Sequence, residues 1–196
     1  MFRRRTTRRL AGRIVVSSLL CLGFWQFGQG AYIPAKAWVA QELMNRAWQR
    51  AGRGARQPAP WPWADTWPVA RLSARGGDVE LIVLEGGSGR TLAFGPGHLS
   101  ISALPGQSGN SIIAGHRDTH FQFLQYLEIG EPLYVELPDG DLHLYEVSSI
   151  DVVDSRRGSL LLDTDEPMLS LVTCYPFDAL DPGGPMRYVV SARLLL

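Results

Sequence analysis

From Val69 onward the chain is a succession of short runs, alternating or wholly apolar, each closed by turn-forming residues: VARLSA, VELIVLEG, SIIAG, LYVEL, LHLYEVSSIDVV, MLSLVTC and RYVVSARLLL. Period-two alternation sends successive side chains to opposite faces of a strand, and runs this short and this regularly spaced predict an all-β barrel or sandwich. Pro138-Asp139-Gly140-Asp141 joins LYVEL to LHLYEV and predicts a hairpin, because Gly takes the positive φ that a tight turn needs. Short helical turns are expected over Arg90–Leu99 and Thr119–Leu127. A chain of 196 residues, 45% hydrophobic, buries one substantial core and hardly two, so 69–196 is expected to be a single domain.

The first third of the chain is organised differently. Formal net charge is zero, yet six of the 19 basic residues (Arg3, Arg4, Arg5, Arg8, Arg9 and Arg13) precede the first long apolar stretch, so the remaining 13 face 19 acidic residues. An acidic remainder without a basic, aromatic-interleaved stripe excludes a phosphate-binding footprint, and nucleic acid is not an expected partner. Residues 14–33, IVVSSLLCLGFWQFGQGAYI, would span roughly 30 Å as a helix, enough to cross a bilayer. The basic tail 1–13 should then stay cytoplasmic and everything after Pro34 lie outside the cytoplasm. A cleavable signal peptide, with Ala35-Lys36-Ala37 as its loosely fitting end, is the competing reading and exports the same domain. Residues 34–51 carry Trp38, Leu43 and Trp48 among good helix formers and predict an amphipathic juxtamembrane helix. Residues 52–68, rich in Pro, Gly and Trp, are expected to be a linker.

Three residues in the strand-rich part can do chemistry. Cys174 ends MLSLVTC just before Tyr175-Pro176, where proline stops regular pairing, so its thiol is expected at a strand's mouth. The other cysteine, Cys21, lies in the predicted membrane segment, which leaves Cys174 unpaired. A nearby cation would favour the nucleophilic thiolate. His116 leaves the apolar run SIIA through a glycine and can hold or return a proton. Arg187 opens RYVVSARLLL on the face opposite Tyr188, Val190, Ala192 and Leu194, and a permanent cation there can steady an oxyanion. Taken singly, each has an ordinary explanation: a small buried hydrophobe, a structural histidine, a surface arginine. The remaining histidines, His98, His120 and His143, are assigned structural or exposed positions. His116 and His120 would share a helical face and suit a metal, but Gly115 and the preceding strand argue for a loop and no third ligand accompanies them.

Together these residues resemble the sortases, exported cysteine transpeptidases built on a closed eight-stranded β-barrel. LPGQSGNSIIAGHRDTHF resembles the approach to the family's catalytic histidine, here His116, and GPGH at Gly95–His98 is a phrase common among its members. Leu171-Val172-Thr173-Cys174 is similar to the TLxTC signature that ends in the nucleophile, with Ser170 in place of its first threonine. Arg187 in RYVV matches the family's arginine. FWQFGQGAYIPAKAW and GGPMRYVV look most like the class GN sortases of Gram-negative proteobacteria, which implies an inner-membrane anchor and a periplasmic catalytic domain. The resemblance implies a thioacyl intermediate on Cys174, proton transfer by His116, charge stabilisation by Arg187, and a groove shaped in part by Thr173. It also implies an LPxTG-like sorting signal as substrate, an unspecified amine acceptor, and no metal or organic cofactor. Two rivals stand beside it: an L,D-transpeptidase-like enzyme, whose SHGC-like approach to the cysteine is absent here, and a catalytically silent, tethered barrel that binds peptide.

Overall fold

The computed structural model describes residues 3–158, 161–179 and 183–195, apart from the side chains of 3–15, 27–29, 31 and 33. The chain divides into two compact units, Met1–Gln41 and Glu42–Leu196. One helix, α1 (Arg3–Gly52), runs through the first unit and into the second, with Pro34 inside it. Among the described residues no helix is long and apolar enough to cross a membrane. Several side chains of the predicted span 14–33, at 14, 15, 27–29, 31 and 33, lie outside the described ones.

Within the second unit the last turns of α1 are part of the domain. Met44, Ala47 and Trp48 are buried at helical spacing, and the Trp48 ring carries the guanidinium of Arg71 5.1 Å from its centroid. The buried stripe is therefore Met44–Ala47–Trp48, and Leu43, read from the sequence as part of the apolar face, is only half-buried. Burying Met44 and Trp48 contributes about 1.5–3 kcal/mol for a side chain of methionine's size and more for the larger indole. Arg50 donates to the Ala59 carbonyl at 2.7 Å, folding the Pro/Trp segment back on the helix end.

Eight strands follow: β1 (Pro68–Ala74), β2 (Val79–Glu85), β3 (Gly97–His98), β4 (Asn110–Ala114), β5 (Pro132–Glu136), β6 (Leu142–Asp154), β7 (Met168–Cys174) and β8 (Met186–Leu194). They close into a barrel in the order β1-β2-β3-β4-β7-β8-β6-β5, which leaves no open sheet edge. All seven runs read from the sequence are strands. The PDGD turn is the expected hairpin, with Gly140 at φ 96° and Leu137 donating to Asp141 at 2.8 Å. The first of the expected short helical turns is α2 (Gly89–Leu92), and the rest of Arg90–Leu99 is not helical, since Pro96 disfavours a helix there and Gly97–His98 joins the sheet as β3. At Gly97 a Cβ would collide with the Gly86 carbonyl oxygen, so only glycine allows the backbones to meet there. The second helical turn is a 3₁₀ segment over Gln122–Tyr126.

Leu72, Val83, Ile113, Leu133, Leu169 and Val190 fill the barrel interior and are fully shielded from solvent. Tyr145 joins them, and its hydroxyl accepts from the Gly106 N–H at 2.7 Å, which satisfies the polar tip of a buried ring. On β8 the interior face is Tyr188, Val190, Ala192 and Leu194, as the alternation predicts. Val189, on the other face, is also buried, so that face is not simply turned to water.

Candidate active site

The site is built where β4 and β7, which run parallel, both end. Ala114 pairs with Val172, the Gly115 N–H donates to the Val172 carbonyl at 3.0 Å, and the Thr173 hydroxyl donates to the Gly115 carbonyl at 2.8 Å. Continuing that register by two residues brings His116 level with Cys174. Gly115 packs under the Phe121 ring so closely that a Cβ would lie 2.7 Å from it, which holds the chain at the point where His116 emerges. His116 itself is exposed.

On the other side of β7, the antiparallel ladder with β8 makes Cys174 and Arg187 direct partners. Cys174 is a free, half-buried thiol, and Cys21 is free as well. The Arg187 Nη1 donates to the Gly184 carbonyl at 2.6 Å and to the Met186 carbonyl at 2.9 Å, which fixes the guanidinium against its own loop. The structure thus brings Cys174, Arg187 and His116 to one end of three adjacent strands. Thr173 is 2% exposed and its hydroxyl is engaged with Gly115, so its visible role is to tie the His116 segment to β7. Ser170 is buried, and among the described residues its hydroxyl has no hydrogen-bond partner.

The surroundings are charged on one side and aromatic on the other. Arg117, next to His116, is buried and forks onto Asp118 with bonds of 2.7 and 3.1 Å. The bond from Arg117 holds the Asp118 carboxyl below the usual carboxylate range, helped by the nearby charges of Arg117 and His116. Burial pushes the His120 imidazole below its ordinary value, and the charge of His116 pushes it the same way. Tyr175 stacks on Tyr188 at 6.0 Å, and Phe177 meets Tyr188 edge-on at 5.1 Å, a wall that follows the strand ending in Cys174. Burial raises the Tyr188 phenol, with Tyr175 adding to the effect.

Arg117, Asp118 and the aromatic wall were not singled out from the sequence. The only available signal was the unbroken phrase HRD after a strand, where an arginine and an aspartate flank each other beside the histidine. The other histidines sit apart or are otherwise engaged. His98 is buried between Glu85 Oε2 at 3.2 Å and the Ala103 carbonyl at 2.9 Å. His143 packs at Gly106, before β4 begins, at the far end of that strand from His116. Residues 117–120 form a turn and not a helix, which removes the helical alignment of His116 with His120. Among the described residues no group of three or more His, Cys, Asp or Glu side chains is placed to hold a metal ion.

The chain is similar to known proteins in sequence and in fold. Sortase D of Bacillus subtilis (strain 168) is 34% identical over 117 residues, which span 59% of this chain and 58% of that protein. A solved structure of sortase A from Corynebacterium diphtheriae superposes with a TM-score of 0.61 at 30% identity, covering 68% of this chain and 63% of that one. A Clostridium perfringens structure described as a sortase D5 transpeptidase gives 0.59 at 27% identity, covering 66% and 80%. The closed eight-stranded barrel is the sortase fold. The sortase domain model matches residues 72–195, well over half of the chain and all three residues gathered at the strand ends, and the chain therefore belongs to the sortase family.

Proposed function

We propose that this chain is a membrane-anchored transpeptidase that cleaves an LPxTG-like sorting signal through a thioester on Cys174 and passes the acyl part to an amine. The observation that carries the reading is the strand-end cluster: Cys174 directly paired with Arg187, and His116 two residues beyond the last β4–β7 pair, Ala114 with Val172. The Cys174 thiolate attacks a backbone carbonyl of the sorting peptide, so a C–S bond forms while the C–N bond breaks. His116 gives its proton to the departing amine. Arg187 steadies the oxyanion as it develops. An incoming amine then yields a proton to His116 and attacks the thioester; a new C–N bond forms and the thiolate leaves. With water in place of the amine the outcome is hydrolysis.

Intact-mass spectrometry of the full-length protein mixed with LPxTG-like peptides tests this. An added mass equal to the acyl half of a peptide, released by hydroxylamine, is the expected result. No adduct with any such peptide, together with a thiol that alkylates at an ordinary rate, would favour the silent peptide-binding barrel. Membership of the sortase family displaces the L,D-transpeptidase-like reading.

Our reading of the location is an inner-membrane anchor at 14–33 with the barrel in a periplasm. It is supported by the six arginines ahead of the apolar stretch and by the class GN resemblance of FWQFGQGAYIPAKAW and GGPMRYVV. A maleimide that does not cross the inner membrane should label Cys174 in intact spheroplasts. Labelling only after permeabilisation would place the barrel on the cytoplasmic side and overturn the topology.

A further inference from the structure

Arg117 is only 7% exposed, and a charged side chain is held that far from water only when its donors are met. They are met in two directions. Nε and Nη2 fork onto the Asp118 carboxylate at 2.7 and 3.1 Å, while Nη2 also donates to the Ala179 carbonyl at 2.8 Å and Nη1 donates to the Pro176 carbonyl. Both carbonyls belong to the segment that follows the nucleophile. We propose that Arg117 is a positioning residue of the Cys174 site, strapping the His116 segment to the Pro176–Ala179 turn.

This inference rests on the transpeptidase reading and adds a residue to it. β7 ends at Cys174, and the ladder beyond it is short: Tyr175 donates to the Met186 carbonyl at 3.1 Å, and the bond from Ala179 back to Pro176 is long, at 3.4 Å. The turn is therefore gripped from outside by side chains. Arg117 holds it at 176 and 179, and Arg187 holds the return of the same connection at 184 and 186. Two planar guanidinium groups thus bracket the chain that leads from the nucleophile to its strand partner. A guanidinium suits this because its donors lie in one plane and point outward, so one group bridges a carboxylate and two carbonyls; an ammonium has no such geometry. The charge acts as well. A negative Cys174 favours the charged form of Arg117, after the larger effects of Asp118 and of burial.

The test compares the full-length wild type with Arg117→Met and Arg117→Lys. Three quantities are measured on each: kcat and KM on a sorting peptide, and the melting midpoint. Arg117→Met should lower kcat by roughly tenfold to a hundredfold, with a smaller change in KM. Arg117→Lys keeps the charge but not the two-carbonyl grip. It should leave KM near the wild-type value while kcat stays reduced. General loosening of the fold would instead move KM and the melting midpoint together with kcat. A folded Arg117→Met protein with wild-type kcat overturns the proposal. If that variant does not fold, Arg117→Lys decides, and a wild-type kcat there overturns the strap. Failure of both to fold would make Arg117 a stability residue only and would also overturn it. A wild type that forms no thioester sinks the transpeptidase reading instead.

Discussion

Cys174→Ala should eliminate thioester formation and lower peptide turnover by at least about 10⁴-fold, because removing the nucleophile of a covalent mechanism leaves only binding and charge stabilisation. No neighbour is placed to substitute. The Thr173 hydroxyl donates to the Gly115 carbonyl, and Ser170, four residues back on the same strand face, is buried. The loss should be chemical and not structural. Cys174 is half-buried at a strand end, and shortening it costs roughly 1 kcal/mol or less. Single-turnover mass spectrometry beside a thermal melt separates the two effects. A variant that turned over within tenfold of the wild type would sink the assignment of the nucleophile.

Arg187→Lys should reduce kcat/KM by roughly 10²-fold, the scale of losing one donor to a developing oxyanion. Arg187 spends Nη1 on the Gly184 and Met186 carbonyls, and the rigid plane of the guanidinium is what allows it to hold its loop while the rest of the group stays at the strand position opposite Cys174. A lysine ammonium is a single point. It would satisfy the same carbonyls or approach the substrate, and not both. Peptide kinetics of the folded variant provide the check. Near-normal kcat/KM would mean that charge alone suffices and that the planar geometry is dispensable.

The strand content of the barrel was legible because its longer strands are short apolar or alternating runs closed by turn residues, as in SIIAG and LYVEL. β3 escaped because two residues, Gly97 and His98, are too few to show any period. The short helical turns expected over Arg90–Leu99 did not reveal it, since local helix propensity gives no account of Gly97 meeting the Gly86 backbone. Closure was not legible from alternation either. A barrel and a sandwich present the same pattern, and only the family resemblance pointed to the closed form.

For the candidate site, the proximity of Cys174 and Arg187 was readable as two strands joined by one connection, and the ladder shows them as direct partners. The sequence by itself determined the residue types available for acyl transfer and the strand ends on which they sit, because both depend on local pattern and turn chemistry. Tertiary structure alone decided that β4 lies parallel to β7, so that His116 reaches the level of Cys174 from more than fifty residues away. It also decided that the arginine after His116 turns inward to the Pro176 and Ala179 carbonyls. Pairing register and side-chain capture are long-range choices, fixed by which surfaces bury one another, and no window of local sequence contains both partners.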